Sequence, residues 1–122
     1  MALIDECRTL LSELDGLASN CLMSGDLSCV SAVRGAQAKL AGAINTLSNQ
    51  DVMAALPNGN DRTAVENMIA AMNADAGKIA SSAANVRNTV SFVTGVVDVV
   101  NNLAGGAFAA AGRAAIGAAA LL

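Results

Sequence analysis

The chain has no tryptophan, no tyrosine and no histidine, a single proline, and charge on only 14% of its 122 residues. Each shortage closes a route. Without histidine, the commonest general base and metal ligand is gone. Without Trp or Tyr, no amphipathic rings remain to mark a membrane–water boundary. Phe92 and Phe108, the only rings, do not make a base-stacking platform. The seven basic residues stand singly, so no electrostatic footprint for nucleic acid is drawn. Pro57, the lone proline, leaves long stretches free to be helical.

What is present is small and apolar. Residues of the Ala, Val, Leu and Met type dominate a 54% apolar composition, while charge falls well below the usual quarter. Side chains of this size gain buried area by bringing backbones close, which suits helices. At this length one domain with one core is expected. Charge is uneven. Residues 1–75 carry nine acids and four bases, net −5, and residues 76–122 carry one acid and three bases, net +2. Three cysteines, Cys7, Cys21 and Cys29, are an odd number without CxxC spacing. Reduced thiols are therefore expected, with a bridge from Cys21 to Cys29 across Gly25 as the alternative. The opening Met1-Ala-Leu-Ile-Asp-Glu has acids where a secretory signal has bases, which predicts a cytoplasmic chain or one exported without a cleavable signal.

Apolar spacing carries the fold prediction. Leu3, Cys7, Leu10, Leu14, Leu17 and Cys21 recur at steps of four and three, widened by Ile4, Leu11 and Ala18. That predicts a helix over about 2–22, ended by Gly25, with Asp26 capping the next. Val30, Val33, Gln37, Leu40, Ile44 and Leu47 repeat the spacing. Gln37 is the polar member, either half-exposed or buried to fix register. Ser48 to Asp51 break this helix, Val52 to Leu56 add a turn, and Pro57-Asn58-Gly59-Asn60 is a turn. Thr63-Ala64-Val65-Glu66 has the spacing of a capping box, with Asp61 as the other candidate cap. From Val65 a seam through Met68, Ile69, Met72, Ala76, Ile79, Ala83, Val86, Val90, Val93, Val97 and Val100 predicts one long helix over about 61–102, in an elongated bundle or with a break near Gly95. The β-branched run 89–100 has strand propensity, but the unbroken seam favours helix.

The last third is the most distinctive part. Only two charges, Asp98 and Arg113, interrupt the mostly apolar run from Val90 to Leu122. Past Gly105-Gly106, two stripes of small residues run at i, i+4 spacing: Gly106, Ala110, Ala114 and Ala118, and Ala107, Ala111, Ala115 and Ala119. Rows of small residues let helix backbones approach closely, so these eight are the candidate interface. Asp98 and Arg113 are equidistant from the glycine pair, and a helical hairpin folded there would bring both to one height. They join the candidate interface as charges that could pair there, the alternative being that each faces water or a different partner.

Residues 103–122 have the length of a membrane span, but the magnitudes oppose insertion. Leu103, Phe108, Ile116, Leu121 and Leu122 favour it by roughly 1.5–3 kcal/mol in total, and Arg113 opposes it by about 2.5–3.5 kcal/mol. The scattered acids and cysteines lack metal-ligand spacing, and the glycine-rich tail lacks the Lys-Ser/Thr of a phosphate loop. No catalytic residue, cofactor or metal is therefore expected, and no enzyme.

These readings predict an all-α chain: an elongated antiparallel bundle of three to four heptad-patterned helices with an Ala/Gly-rich C-terminal helix. Residues 1–122 form one domain, with a hairpin over about 2–56, the long helix over 61–102, and the last helix over 104–121. The expected function is a structural, self-assembling subunit (filament, ring or other homo-oligomer) whose partner is another copy of itself. One alternative is a membrane-active protein whose last third inserts into lipid as an oligomeric pore. A second is a small helical adaptor or chaperone-like bundle. Neither nucleic acid nor a small-molecule substrate is an expected partner.

Overall fold

A computed structural model describes residues 2–80 and 86–122, with side chains of 76–80 left aside. Among the described residues the chain forms five helices: α1 (Leu3–Met23), α2 (Leu27–Asn49), α3 (Asn60–Ala80), α4 (Val86–Ala104) and α5 (Phe108–Ala119). No strand occurs among the described residues, so the β-branched run lies inside α4. Burial overrides propensity there: Phe92, Val93, Val96, Val99, Val100 and Leu103 form one buried face of α4.

Two turns set the chain direction by the same device. After α1, Gly25 has φ +76°, and after α4, Gly106 has φ +77°. In each, the glycine N–H donates to the carbonyl three residues back, and the next N–H reaches the carbonyl five back. This is the αL termination that favours glycine because a Cβ would clash. Asp26 then caps α2, its carboxylate accepting from the Cys29 N–H at 3.0 Å. The capping box does not form. α3 starts earlier, so the Thr63 hydroxyl donates to the Gly59 carbonyl at 3.0 Å and Glu66 accepts from Arg62 Nε at 3.0 Å. Val52 to Leu56 form a turn, held where Arg62 Nη1 donates to the Leu56 carbonyl at 2.6 Å and to the Met53 carbonyl at 3.2 Å.

Packing closes a ring. α1 lies between α2 and α3, α2 lies between α1 and α4, and α5 fits between α3 and α4, which barely touch each other. The core is mainly apolar; Glu6 and Thr89 are the polar residues buried with it among the described residues. Leu10, Leu14 and Leu17 of α1, Val33 and Leu40 of α2, Val65, Met68 and Met72 of α3, and the α4 valines lie in one cluster. Each such side chain stabilises the fold by about 1.5–3 kcal/mol when fully buried.

The single helix over 61–102 is corrected by α5. A Cβ built on Gly112 would lie 3.1 Å from Asp61 Cα, and one on Gly95 would lie 2.9 Å from Ala118 Cβ. On a straight helix Asp61 and Gly95 would stand about 51 Å apart, yet Gly112 and Ala118 are only about 9 Å apart along α5. α3 and α4 are therefore separate arms clasping α5. Residues 81–85, with the seam position Ala83, lie outside the described residues, as do the side chains of Ala76 and Ile79.

Candidate functional site

The small-residue stripes divide between inside and outside. Ala111, Ala115 and Ala118 are buried with Gly112, and Ala110, Ala114 and Ala119 are half-buried, while Gly106 and Ala107 are exposed in the turn. Their close approach is made within the chain. The Gly112 backbone lies against Asp61 at the start of α3, and Ala118 lies against Gly95 of α4. The larger knob of the outer face, Ile116, is 63% exposed.

Asp98 and Arg113 do not pair. The hairpin folds where expected, but both side chains are exposed, and the ion pairs among the described residues are elsewhere. Equal height is not enough. α4 turns Val96, Val99 and Val100 inward and α5 turns Ala111 and Ala115 inward, which leaves Asp98 and Arg113 on outer faces.

The distal tip of the α1/α2 hairpin holds what spacing missed. Cys21 and Cys29 are joined by a disulfide, with Cα atoms 5.6 Å apart, which corrects the expectation of three reduced thiols. The eight-residue spacing becomes a bonding distance because the Gly25 turn sets the ends of two antiparallel helices side by side. Beside the bond, Leu22, Met23 and Leu27 are 61%, 86% and 71% exposed. Among the described residues only Ile116, at 63%, is a large apolar side chain of comparable exposure, and these three share one tight turn. The signal was in the sequence: Leu22, Met23 and Leu27 fall off the inward spacing of α1 and α2.

Cys7 is the free thiol, fully buried in the core. Burial pushes its pKa up to about 12, with the neighbouring Glu6 carboxylate adding to the rise. It is an inert core group, since the thiolate is the reactive form. Gln37 is half-buried and bridges helices: it accepts from Arg34 Nη1 at 2.7 Å and donates to the Leu11 carbonyl at 3.5 Å. Arg34 also pairs with Asp15 at 2.7 Å, and that guanidinium holds the Asp15 carboxyl below its usual range, with Gln37 assisting.

A cleft of about 730 Å³ opens at the other end of the bundle, between the start of α1, the end of α2 and one face of α3. Its floor is apolar, with Leu3, Val52 and Ile69, and Arg62 and Glu66 stand on its rim. Arg62 and Glu66 pair with each other, Arg62 also donates to the turn carbonyls, and Asp51, which lines the cleft too, accepts from the Ala54 N–H at 3.3 Å.

No family model, no curated protein and no solved structure matches this chain. Function must be argued from its own surface.

Proposed function

We propose that this chain is a structural, self-associating helical subunit, an elongated bundle with heptad-spaced seams that assembles with copies of itself and performs no catalysis. The observation that carries this reading is the hairpin tip. Three large apolar side chains stand in water within one turn, 61% to 86% exposed, and the adjacent disulfide holds that turn rigid. Rigid apolar knobs bind at low entropic cost, because little freedom remains to be lost. Exposed apolar clusters are where soluble proteins meet partners. Asp26 in the same turn and the absence of any base between Leu22 and Val33 favour a protein surface over an anionic lipid one.

The C-terminal stripes support assembly less than the sequence suggested, because α3 and α4 already occupy their inner side. The same fact weakens the pore alternative. α5 would have to leave its slot, and no helix among the described residues is long and apolar enough to cross a membrane. An adaptor bundle would use the same tip on a different protein.

The test is molar mass in solution by light scattering, for the native chain and for Leu22→Ser with Met23→Ser and Leu27→Ser. The native chain is expected to run as an oligomer, and the triple variant as a smaller species with unchanged helical content. A native monomer at hundreds of micromolar would overturn self-association. Dye release from liposomes by the native chain, lost in the triple variant, would favour the membrane reading.

A further inference from the structure

The two ends of the α1/α2 hairpin are complementary in shape. At one end Leu22, Met23 and Leu27 project into water from the turn held by the Cys21–Cys29 bond. At the other end the cleft of about 730 Å³ opens over the core. α1 begins at the cleft and ends at the turn, 21 residues later. At 1.5 Å per residue the two features stand about 30 Å apart, so no chain can fill its cleft with its own turn.

The cleft is formed before anything enters it. Its lining comes from the start of α1, the end of α2, the turn that follows and one face of α3, and none of it from α4 or α5. Above the buried floor of Leu3, Val52 and Ile69, the half-buried Ile4, Leu47 and Met53 add apolar walls. The wall that carries Val52 and Met53 is pinned, because Arg62 Nη1 donates to the Met53 and Leu56 carbonyls and Asp51 accepts from the Ala54 N–H. A preformed, largely apolar cleft of this size suits an apolar group. The Leu22, Met23 and Leu27 side chains hold about twelve heavy atoms, which at roughly 30 Å³ each, the share of one water in the liquid, need about half the space.

We infer that the α1/α2 turn of one copy seats in the cleft of the next, joining copies head to tail. The inference rests on the self-association reading and names what the turn binds. Each copy offers one knob and one hole at opposite ends, so every contact leaves a free knob and a free hole. Heterologous contacts of this kind extend into rows or rings. Charge gives the contact a sign. The turn carries Asp26, and the cleft lining carries Asp51 and Glu66 against Arg62, so both sides are net negative. Apolar burial must therefore drive the contact, and added salt strengthens it by screening the repulsion. Three knobs are few beside the roughly 20–30 residues a side of a standard interface. The contact is accordingly reversible, and average mass rises with concentration.

The experiment is sedimentation velocity of the full chain, alone and in mixtures of two kinds of variant. One kind loses the knob: Leu22→Ser with Met23→Ser and Leu27→Ser. The other loses the hole. Ile4→Glu puts a carboxylate in the cleft from the first turn of α1, where an acid suits the helix dipole; Ser48→Trp fills the cleft from an exposed position. Each kind alone is expected to associate at least tenfold more weakly than the native chain. Mixed in equal amounts, the two kinds should form a one-to-one complex and nothing larger, since one intact knob and one intact hole remain. Native association should be stronger in about 0.5 M than in about 0.05 M salt. If neither hole variant folds, capping decides. An excess of the knobless chain should lower the average mass of native assemblies, because its hole still takes a native turn, whereas turn-on-turn contact gives no capping. Folded hole variants that assemble like the native chain, or knobless chains that do not cap, would overturn the cleft as acceptor and leave self-association through the turn standing. Weakening by salt would overturn it too. A native monomer would overturn both.

Discussion

At the scale of single residues, two positions show how context gives one residue type opposite roles. Gly112 is pressed on Asp61, whereas Gly16 looks into open space. Gly112→Ala is expected to destabilise the chain by about 1–3 kcal/mol, since an added methyl has no room. Gly16→Ala should stabilise the monomer by about 1 kcal/mol through helix propensity. Denaturant melts under monomeric conditions would read both, and equal effects would discredit the α3–α5 contact. Cys7 gives a pH prediction. Its thiol ionises near 9 when unfolded and is pushed up to about 12 when folded. The folded state therefore keeps a proton that the unfolded state loses, and stability is full below pH 9 and declines as pH rises towards 12. The decline sums to about 4 kcal/mol at 1.36 kcal/mol per pH unit. Cys7→Ala should remove that slope from stability measured between pH 8 and 11.

At the scale of elements, the sequence spacing located most of the fold. The inward seam of α1, the Asp26 cap and both glycine terminations are where spacing placed them, because each depends on neighbours within one or two turns. Three features were not fixed by spacing, for a common reason. The choice of the Cys21–Cys29 bond over reduced thiols, the loss of the Thr63–Glu66 capping box and the separation of α3 from α4 depend on which elements meet, and a run of equally spaced apolar residues does not say where a chain reverses. The stripes of α5 were legible as close-packing surfaces, but alanine gives no sign of whether its neighbour belongs to the same chain. The disulfide carries this scale's prediction. Its closed loop is short, so the chain-entropy model gives about 2.5 kcal/mol of stabilisation. Cys21→Ala with Cys29→Ala should lower the melting temperature by about 10 °C. A melt indifferent to that change, and to a thiol reductant in the native chain, would mean that the bond does not form in solution.

At the scale of the whole molecule, the five helices are not equivalent. α1 and α2 form a hairpin joined by a turn, a bond and a side-chain network, and α3 and α4 flank it as arms. α5, only 12 residues long, fills the gap between those arms. The arrangement also has a history in time. A ribosome adds about 5–20 residues per second, and chains fold from the N-terminal side as they emerge. The hairpin can close while later residues are still being made, but the valine face of α4 lacks one of its covers until α5 arrives. For about a second or more, the most β-prone stretch of the chain waits with that side open, before its final neighbour has been synthesised. The quick turn at Gly105-Gly106 and the nearness of α5 in sequence keep that interval short, so the order of the helices along the chain shields the segment most prone to go astray.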